Sequence, residues 1–178
     1  MKPIVISFKP LTEDDLSLLY DWFQRPHIKK WYARNEDYTC EMIVEKYLPR
    51  VRHPELIPNF IIYAGSYPIG YIQLYRVSDA FPDGVESYDH PLFANCSPED
   101  MAGIDMFIAE EDYLGKGYAA LALQNFVNEY IKGKFSLLVV DPLKMNKHAI
   151  LFFEKNGFKK LISPQSQSIH QLLVLHII

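Results

Sequence analysis

Apolar and polar residues alternate over positions 4–9, which predicts a strand. Thr12 follows as an N-cap, with Asp14 and Asp15 where a helix N-terminus favours negative charge. Leu16, Leu19, Tyr20 and Phe23 then recur at helical spacing and form one apolar face, and Pro26 is expected to end that helix. Positions 38–48 read as a second helix, capped by Thr39 and closed by Pro49. Two runs rich in β-branched and aromatic residues, 59–64 and 69–77, flank a Gly65-Ser-Tyr-Pro68 turn and predict a hairpin. Positions 78–101 are rich in Pro, Asp, Asn and Ser and long for a loop, which itself marks a functional segment. A strand at 103–109 is followed by a helix at 118–132, which offers Leu121, Leu123, Phe126, Val127, Tyr130 and Ile131 for burial. The near-continuous apolar run 135–141 is that of a central strand. Asn146 caps a short helix that stops at Gly157, a last strand spans 172–178, and one more is expected near 158–162. The order β-α-α-β-β-β-α-β-α-β predicts an α/β protein with helices on both faces of its sheet.

Composition narrows the class. The chain has 178 residues, half of them hydrophobic (49%), which suits one domain spanning 1–178. Its two cysteines, Cys40 and Cys96, lie far apart in no metal-ligand spacing, so neither a metal nor a disulfide framework is expected, and a reducing cytoplasm is the default. No apolar run approaches the ~18 residues of a membrane helix. The net charge of −4 offers nucleic acid no basic footprint. That charge is unevenly laid out, however. Residues 1–78 sum to +1, residues 79–112 hold ten Asp or Glu and no Lys or Arg, and residues 113–178 sum to +5. An acidic run is either a solvated loop or a field that collects a cationic ligand.

The segment Leu114-Gly-Lys-Gly-Tyr-Ala119 lies between a predicted strand and a predicted helix. Glycines there let backbone N–H groups approach an anion, and the helix N-terminus adds a favourable partial charge, so a phosphate or pyrophosphate is the natural guest. The P-loop is excluded because no Ser or Thr follows Gly-Lys and the glycines are too close. The spacing also fits a dinucleotide fingerprint with Asp141 as its acid, but Glu110-Glu-Asp-Tyr-Leu114 interrupts the required strand-to-glycine step. A plain glycine turn remains the third reading.

With this turn, the later segment Asn146-Lys-His-Ala-Ile-Leu-Phe-Phe-Glu-Lys-Asn-Gly-Phe158 resembles the paired motifs of the GCN5-related N-acetyltransferases. Leu114 departs from that family's Arg or Gln, and Phe153 stands where the family usually has Tyr. Within the family the chain resembles the aminoglycoside 6′-N-acetyltransferases of the integron-borne type, through Pro26-His-Ile-Lys-Lys-Trp-Tyr32, Pro68-Ile-Gly-Tyr-Ile-Gln73, Gly103-Ile-Asp105 and Asp141-Pro142 among others. Siderophore-synthesis lysine acyltransferases share part of this pattern, including the His-x-x-x-Trp element. The resemblance implies a mixed, mostly antiparallel central sheet and transfer of an acetyl group from acetyl-CoA to a primary amine, with no metal, by a monomer or homodimer.

It also assigns roles. Asp105 is implied as the carboxylate that receives the amine's proton and holds the ammonium ion. Asp141 and Asp83 are implied as further contacts to a polycationic substrate, with turn-forming roles as their alternatives, and Trp31 and Tyr32 as walls of its pocket. The backbone of Phe107, Ile108 and Ala109 is implied to face the pantetheine and thioester, and Leu114, Gly115, Lys116, Gly117, Tyr118 and Ala119 to hold the pyrophosphate. Asn146 is a helix cap that the resemblance places near the thiolate. Lys116, Lys144 and Lys147 are the cations placed to meet phosphates. With Phe153 lacking a hydroxyl, Tyr113, Tyr118 or water is the substitute proton donor. A member that retains the fold and binds acyl-CoA without chemistry is the non-enzymatic alternative.

Overall fold

The computed structural model describes residues 5–162 and 167–178. Seven strands form one sheet in the order β1-β2-β3-β4-β5-β7-β6, where β1 is Ile6–Pro10, β2 Asn59–Ala64, β3 Tyr67–Arg76, β4 Met101–Ile108, β5 Leu137–Val140, β6 Lys159–Lys160 and β7 Leu173–His176. The pairs β1–β2, β2–β3, β5–β7 and β6–β7 are antiparallel, and β4–β5 is parallel. The helices are α1 Leu16–Phe23, α2 Pro26–Trp31, α3 Cys40–Arg52, α4 Tyr118–Phe126 and α5 Lys147–Lys155. By internal contacts the chain divides into two compact units, one of Met1–Gln73 with Met106–Ala122, the other of Leu74–Asp105 with Leu123–Ile178.

In the first unit the hairpin β2–β3 forms as the turn chemistry predicts, and β1 adds to it with Ile6 opposite Ala64 and Pro10 opposite Phe60. Residue 4 of the predicted first strand lies outside the described residues. Its core joins Leu16, Leu19, Trp22 and Phe23 of α1 to Ile43, Tyr47, Ile61, Tyr71 and Phe107. The prolines do more than expected of them. α1 ends at Phe23, ahead of Pro26 as expected, but Pro26 also begins a further helix, α2, because its fixed φ and missing N–H suit the first helical turn, after Arg25 in an extended conformation. Pro49 lies inside α3, which runs on to Arg52, with His53 N–H donating to the Pro49 carbonyl at 2.9 Å. The capping expectations hold at Thr39, whose hydroxyl accepts from the Met42 N–H, and at Thr12, which shares a capping box with Asp15 at the start of a short 3₁₀ turn leading into α1.

In the second unit Val77, Val85, Leu92, Met101, Leu137, Val139 and Leu172 form the core. The long segment 78–100 is therefore packed rather than loose. Two short 3₁₀ turns, Pro91–Phe93 and Pro98–Asp100, order it, and the rings of Phe81, Tyr88 and Phe93 lie 4.9–5.6 Å apart. The predicted helix at 118–132 stays α-helical to Phe126 and then widens to a π-type turn over Val127–Ile131. The parallel pairing of β4 and β5 covers only Met101–Gly103 and Leu137–Val139, whereas β4 continues to Ile108.

Candidate functional site

In the first unit the glycine turn has the conformation its sequence requires. Gly115 and Gly117 take φ of 68° and 87°, and no atom lies within 4 Å of where a Cβ would stand at either. The glycines are thus required by backbone conformation and not by crowding. The turn runs directly into α4 at Tyr118, whose first-turn N–H groups have no carbonyl within the helix to bond. Gly115, Lys116 and Gly117 are exposed, as is Leu114, while Tyr118 is half-buried and edge-on to Tyr113 at 4.8 Å. These groups suit a phosphate anion.

The end of β4 in this unit is held by side chains from α1, α2 and the link between them. Arg25 donates to the Ala109 carbonyl and grips Glu110 in a bidentate pair, each bond 2.8 Å, and Trp22 Nε1 donates to the same carboxylate at 2.9 Å. His27 Nε2 lies 3.0 Å from the Ile108 carbonyl, and Ala109 N–H donates to the Ile69 carbonyl at 2.8 Å. Burial works to raise the Glu110 pKa, but the hydrogen bonds from Arg25 and Trp22 outweigh it and hold the carboxyl below its ordinary range. A carboxyl with a lowered folded-state pKa adds stability above its unfolded value, near 4.3, and that stability fades as pH falls through the folded value. Glu110→Gln is accordingly expected to cost about 1–3 kcal/mol at neutral pH. It should also flatten the acid limb of a urea-unfolding series, and an unchanged acid limb would remove Glu110 from that role.

Tyr32 packs in the aromatic core of this unit, 4.6 Å from the Phe107 ring and 5.7 Å from Phe23, whereas Trp31 is half-buried beneath the Lys30 ammonium at 4.5 Å.

The second unit gathers the carboxylates. Asp105 is half-buried on β4, Asp141 is half-buried just after β5, and Asp83 is exposed in the acidic segment. Asp83 N–H donates to Asp141 Oδ2, and the Asp141 carbonyl lies 2.7 Å from His170 Nδ1. All three act on one side chain that the sequence pattern does not single out. Burial first, and then the negative charges of Asp141, Asp105 and Asp83, push the Tyr75 phenol well above its ordinary pKa of 10. Tyr75 therefore stays a neutral hydroxyl among three carboxylates. In the sequence it is one aromatic in an apolar strand and carries no polar signature. The hint that sequence offers is Gly103 before Ile-Asp, since the Tyr75 ring lies against that glycine and a Cβ there would stand 2.0 Å from the ring. Among the described residues no group of three or more His, Cys, Asp or Glu is drawn together closely enough for a metal ion.

Also in this unit, Asn146 caps α5 by accepting from the Ala149 N–H at 3.1 Å. Phe153 is a buried ring between Phe152 and Phe158, at 5.1 and 5.2 Å. Lys144 and Lys147 are exposed.

The sequence profile of the acetyltransferase (GNAT) domain matches residues 12–163. The chain belongs to this family. The seven-stranded, mostly antiparallel sheet of this GNAT chain is shared with solved relatives. The crystal structure of aminoglycoside acetyltransferase AAC(6′)-Ib with coenzyme A superposes with a TM-score of 0.71 at 27% identity, covering 94% of each chain. The same enzyme with coenzyme A and kanamycin gives 0.70 at 28%, again covering 94% of each. Among curated proteins, aminoglycoside N(6′)-acetyltransferase type 1 of Klebsiella pneumoniae is 29% identical over 157 residues, which is 87% of this GNAT chain and 74% of that relative.

Proposed function

We propose that this chain moves the acetyl group of acetyl-CoA to a primary amine of a polycationic small molecule, the 6′-amine of an aminoglycoside. The observation that carries this reading is that Asp83 bonds Asp141 through its backbone N–H and that both, with Asp105, add negative charge at the buried Tyr75 phenol, an environment suited to ammonium groups. Relatives that act on aminoglycosides support the substrate class. Acetyl-CoA supplies an activated thioester, and the residues available to hold it are those of the glycine turn. Gly115 and Gly117 turn their peptide groups through left-handed backbone, and α4 presents its N-terminus at Tyr118 and Ala119. Phe107, Ile108 and Ala109 offer backbone toward the pantetheine.

The amine reaches the site as an ammonium ion and is not nucleophilic until it loses a proton. Asp105 accepts that proton directly or through a water, while Asp83 and Asp141 retain the remaining ammonium groups. The freed lone pair attacks the thioester carbonyl, the carbon–sulfur bond breaks with its electron pair on the departing sulfur, and the nitrogen gives up its second proton as the amide forms. A thiol titrates near 8.5 and leaves without a strong acid. For this reason no strong acid need stand in for the hydroxyl that Phe153 lacks. Water, Tyr113 or Tyr118 relays that second proton to the thiolate, and Asp105 releases the first to solvent.

Thiol release measured across amines tests the reading. Kanamycin or tobramycin should release CoA, and binding should weaken with added salt because exposed charges are screened over about 10 Å at 0.1 M. Release only with hydroxylysine-type amines would point to siderophore chemistry, and acetyl-CoA binding without release to any amine would mark a non-catalytic module. Phe153→Tyr should keep or raise turnover if the added hydroxyl can serve as acid. A folded variant with sharply lower turnover would mean the ring's packing matters more than a donor at that position.

A further inference from the structure

Within the second unit one face of the sheet changes its chemistry along the strands. Met101 of β4 with Leu137 and Val139 of β5 forms an apolar end, and Tyr75 of β3 packs against it. The parallel ladder stops at the pair Gly103–Val139. Asp105 and Asp141 each lie two residues beyond that pair, so carboxylates follow the apolar side chains directly. Tyr75 sits at this boundary. Its Cζ, Oη and Cε1 are the atoms nearest to where a Cβ of Gly103 would stand, so the hydroxyl end of the ring lies over that glycine. Gly103 and Asp105 are two apart in β4 and share a face, so the hydroxyl lies on the face that Asp105 occupies.

That hydroxyl forms no hydrogen bond to another described residue. The residue is only half-buried, and its hydroxyl is not among the sealed, unpartnered atoms of the core. Its neighbours in charge, Asp83, Asp105 and Asp141, are acceptors alone when ionised, whereas a phenol also donates. Burial and those charges keep the phenol neutral, so its proton stays available. The acidic segment 79–112 adds no Lys or Arg that could donate instead. Ammonium groups of a ligand are served by the carboxylates, in the stronger charge-assisted bonds. The Tyr75 O–H serves what a carboxylate cannot, an uncharged oxygen with a lone pair.

We infer that the Tyr75 hydroxyl donates to an oxygen of the acceptor, a hydroxyl or a ring oxygen close to the amine, and thereby fits this site to amino sugars over alkyl polyamines. The inference rests on the acetyltransfer reading for the place that the acceptor occupies. An alkyl polyamine satisfies the carboxylates but brings no oxygen, so the O–H gives up water and gains no partner. A site that holds such a donor rejects a ligand without the matching acceptor more strongly than an apolar pocket rejects a missing methylene. The carboxylates thus select the charge of the acceptor, and Tyr75 selects its class.

The test compares kanamycin and spermine, which carry the same number of amines, by calorimetric titration of the full chain and of Tyr75→Phe at one ionic strength. Phenylalanine keeps the ring over Gly103 and removes only the hydroxyl. It breaks no hydrogen bond to a described residue, so the thermal midpoint should not fall. The parent should bind kanamycin more tightly than spermine, and Tyr75→Phe should lower that preference about tenfold, as loss of one hydrogen bond predicts. Both ligands are measured on one preparation, so any unfolded fraction cancels from the ratio. No preference in the parent overturns the inference. So does a preference that Tyr75→Phe leaves unchanged, including the case where both affinities fall alike, which would make the hydroxyl an acceptor for ammonium groups. The titration needs no acetyl-CoA. A preference that depends on the hydroxyl, with no thiol release from acetyl-CoA, upholds the inference and overturns acetyl transfer. Thiol release with an unchanged preference does the reverse.

Discussion

Asp105→Asn is expected to lower turnover by about 10²–10⁴-fold, the usual worth of a positioned general base, while leaving acetyl-CoA affinity in place. Asparagine keeps the size and planar shape of the carboxylate, so the half-buried position on β4 is disturbed little. What is lost is the capacity to take a proton and to offset an ammonium charge. Steady-state kinetics with a tight aminoglycoside and calorimetric titration with acetyl-CoA separate the two effects. Asp83→Asn and Asp141→Asn should act differently, raising KM for a polycation more than they lower kcat, because their task is retention of the substrate's other charges. Turnover of Asp105→Asn within a few-fold of the parent would remove Asp105 from the proton path. Turnover equal among all three variants would mean that the carboxylates act only as a field.

Gly103→Ala is expected to cost about 1–3 kcal/mol of stability, the usual penalty for overpacking, and to cost activity as well. The new methyl would stand 2.0 Å from the Tyr75 ring, so the ring must move, and with it the hydroxyl that lies among Asp83, Asp105 and Asp141. Tyr75→Ala alone should also reduce turnover, through loss of a neutral donor between carboxylates. The double variant Gly103→Ala/Tyr75→Ala tests the physical cause. Because the two positions touch, their effects should fall well short of additive, and thermal unfolding should recover part of what Gly103→Ala loses. Additive losses would place the strain elsewhere than in this contact.

Several parts of the candidate site are legible in the sequence alone. Gly115 and Gly117 announce left-handed backbone beside a helix start, and both adopt it. Asn146 reads as a cap and acts as one. Asp105 stands out as a charge in an otherwise apolar strand. Other parts are not legible there. Pro26 is legible as the stop for α1, but that it also begins α2 is not, because a new helix after the extended Arg25 depends on what Ile28 packs against. Segment 78–100 looks solvated because its charges dominate its composition, yet Val85 and Leu92 are buried in it and three aromatic rings pack together. His90 shows nothing in sequence of its buried Nε2, which has no hydrogen-bond partner among the described residues.

The distinction follows the range of the interactions involved. Caps, turns and glycine conformations depend on neighbours within four or five residues, and such neighbours are written in order along the chain. By itself the sequence determined these, the main strands and helices, the resemblance to the family, and the uneven layout of charge along the chain. The meeting of Asp83, Asp105, Asp141 and Tyr75 was decided only by tertiary structure. Tyr75 reaches its place through β3, Asp105 through β4, Asp141 through the end of β5 and Asp83 through a loop bonded to it. Which of the 22 acidic side chains meet depends on strand order and on where a parallel ladder stops, and no local pattern of residues carries that information.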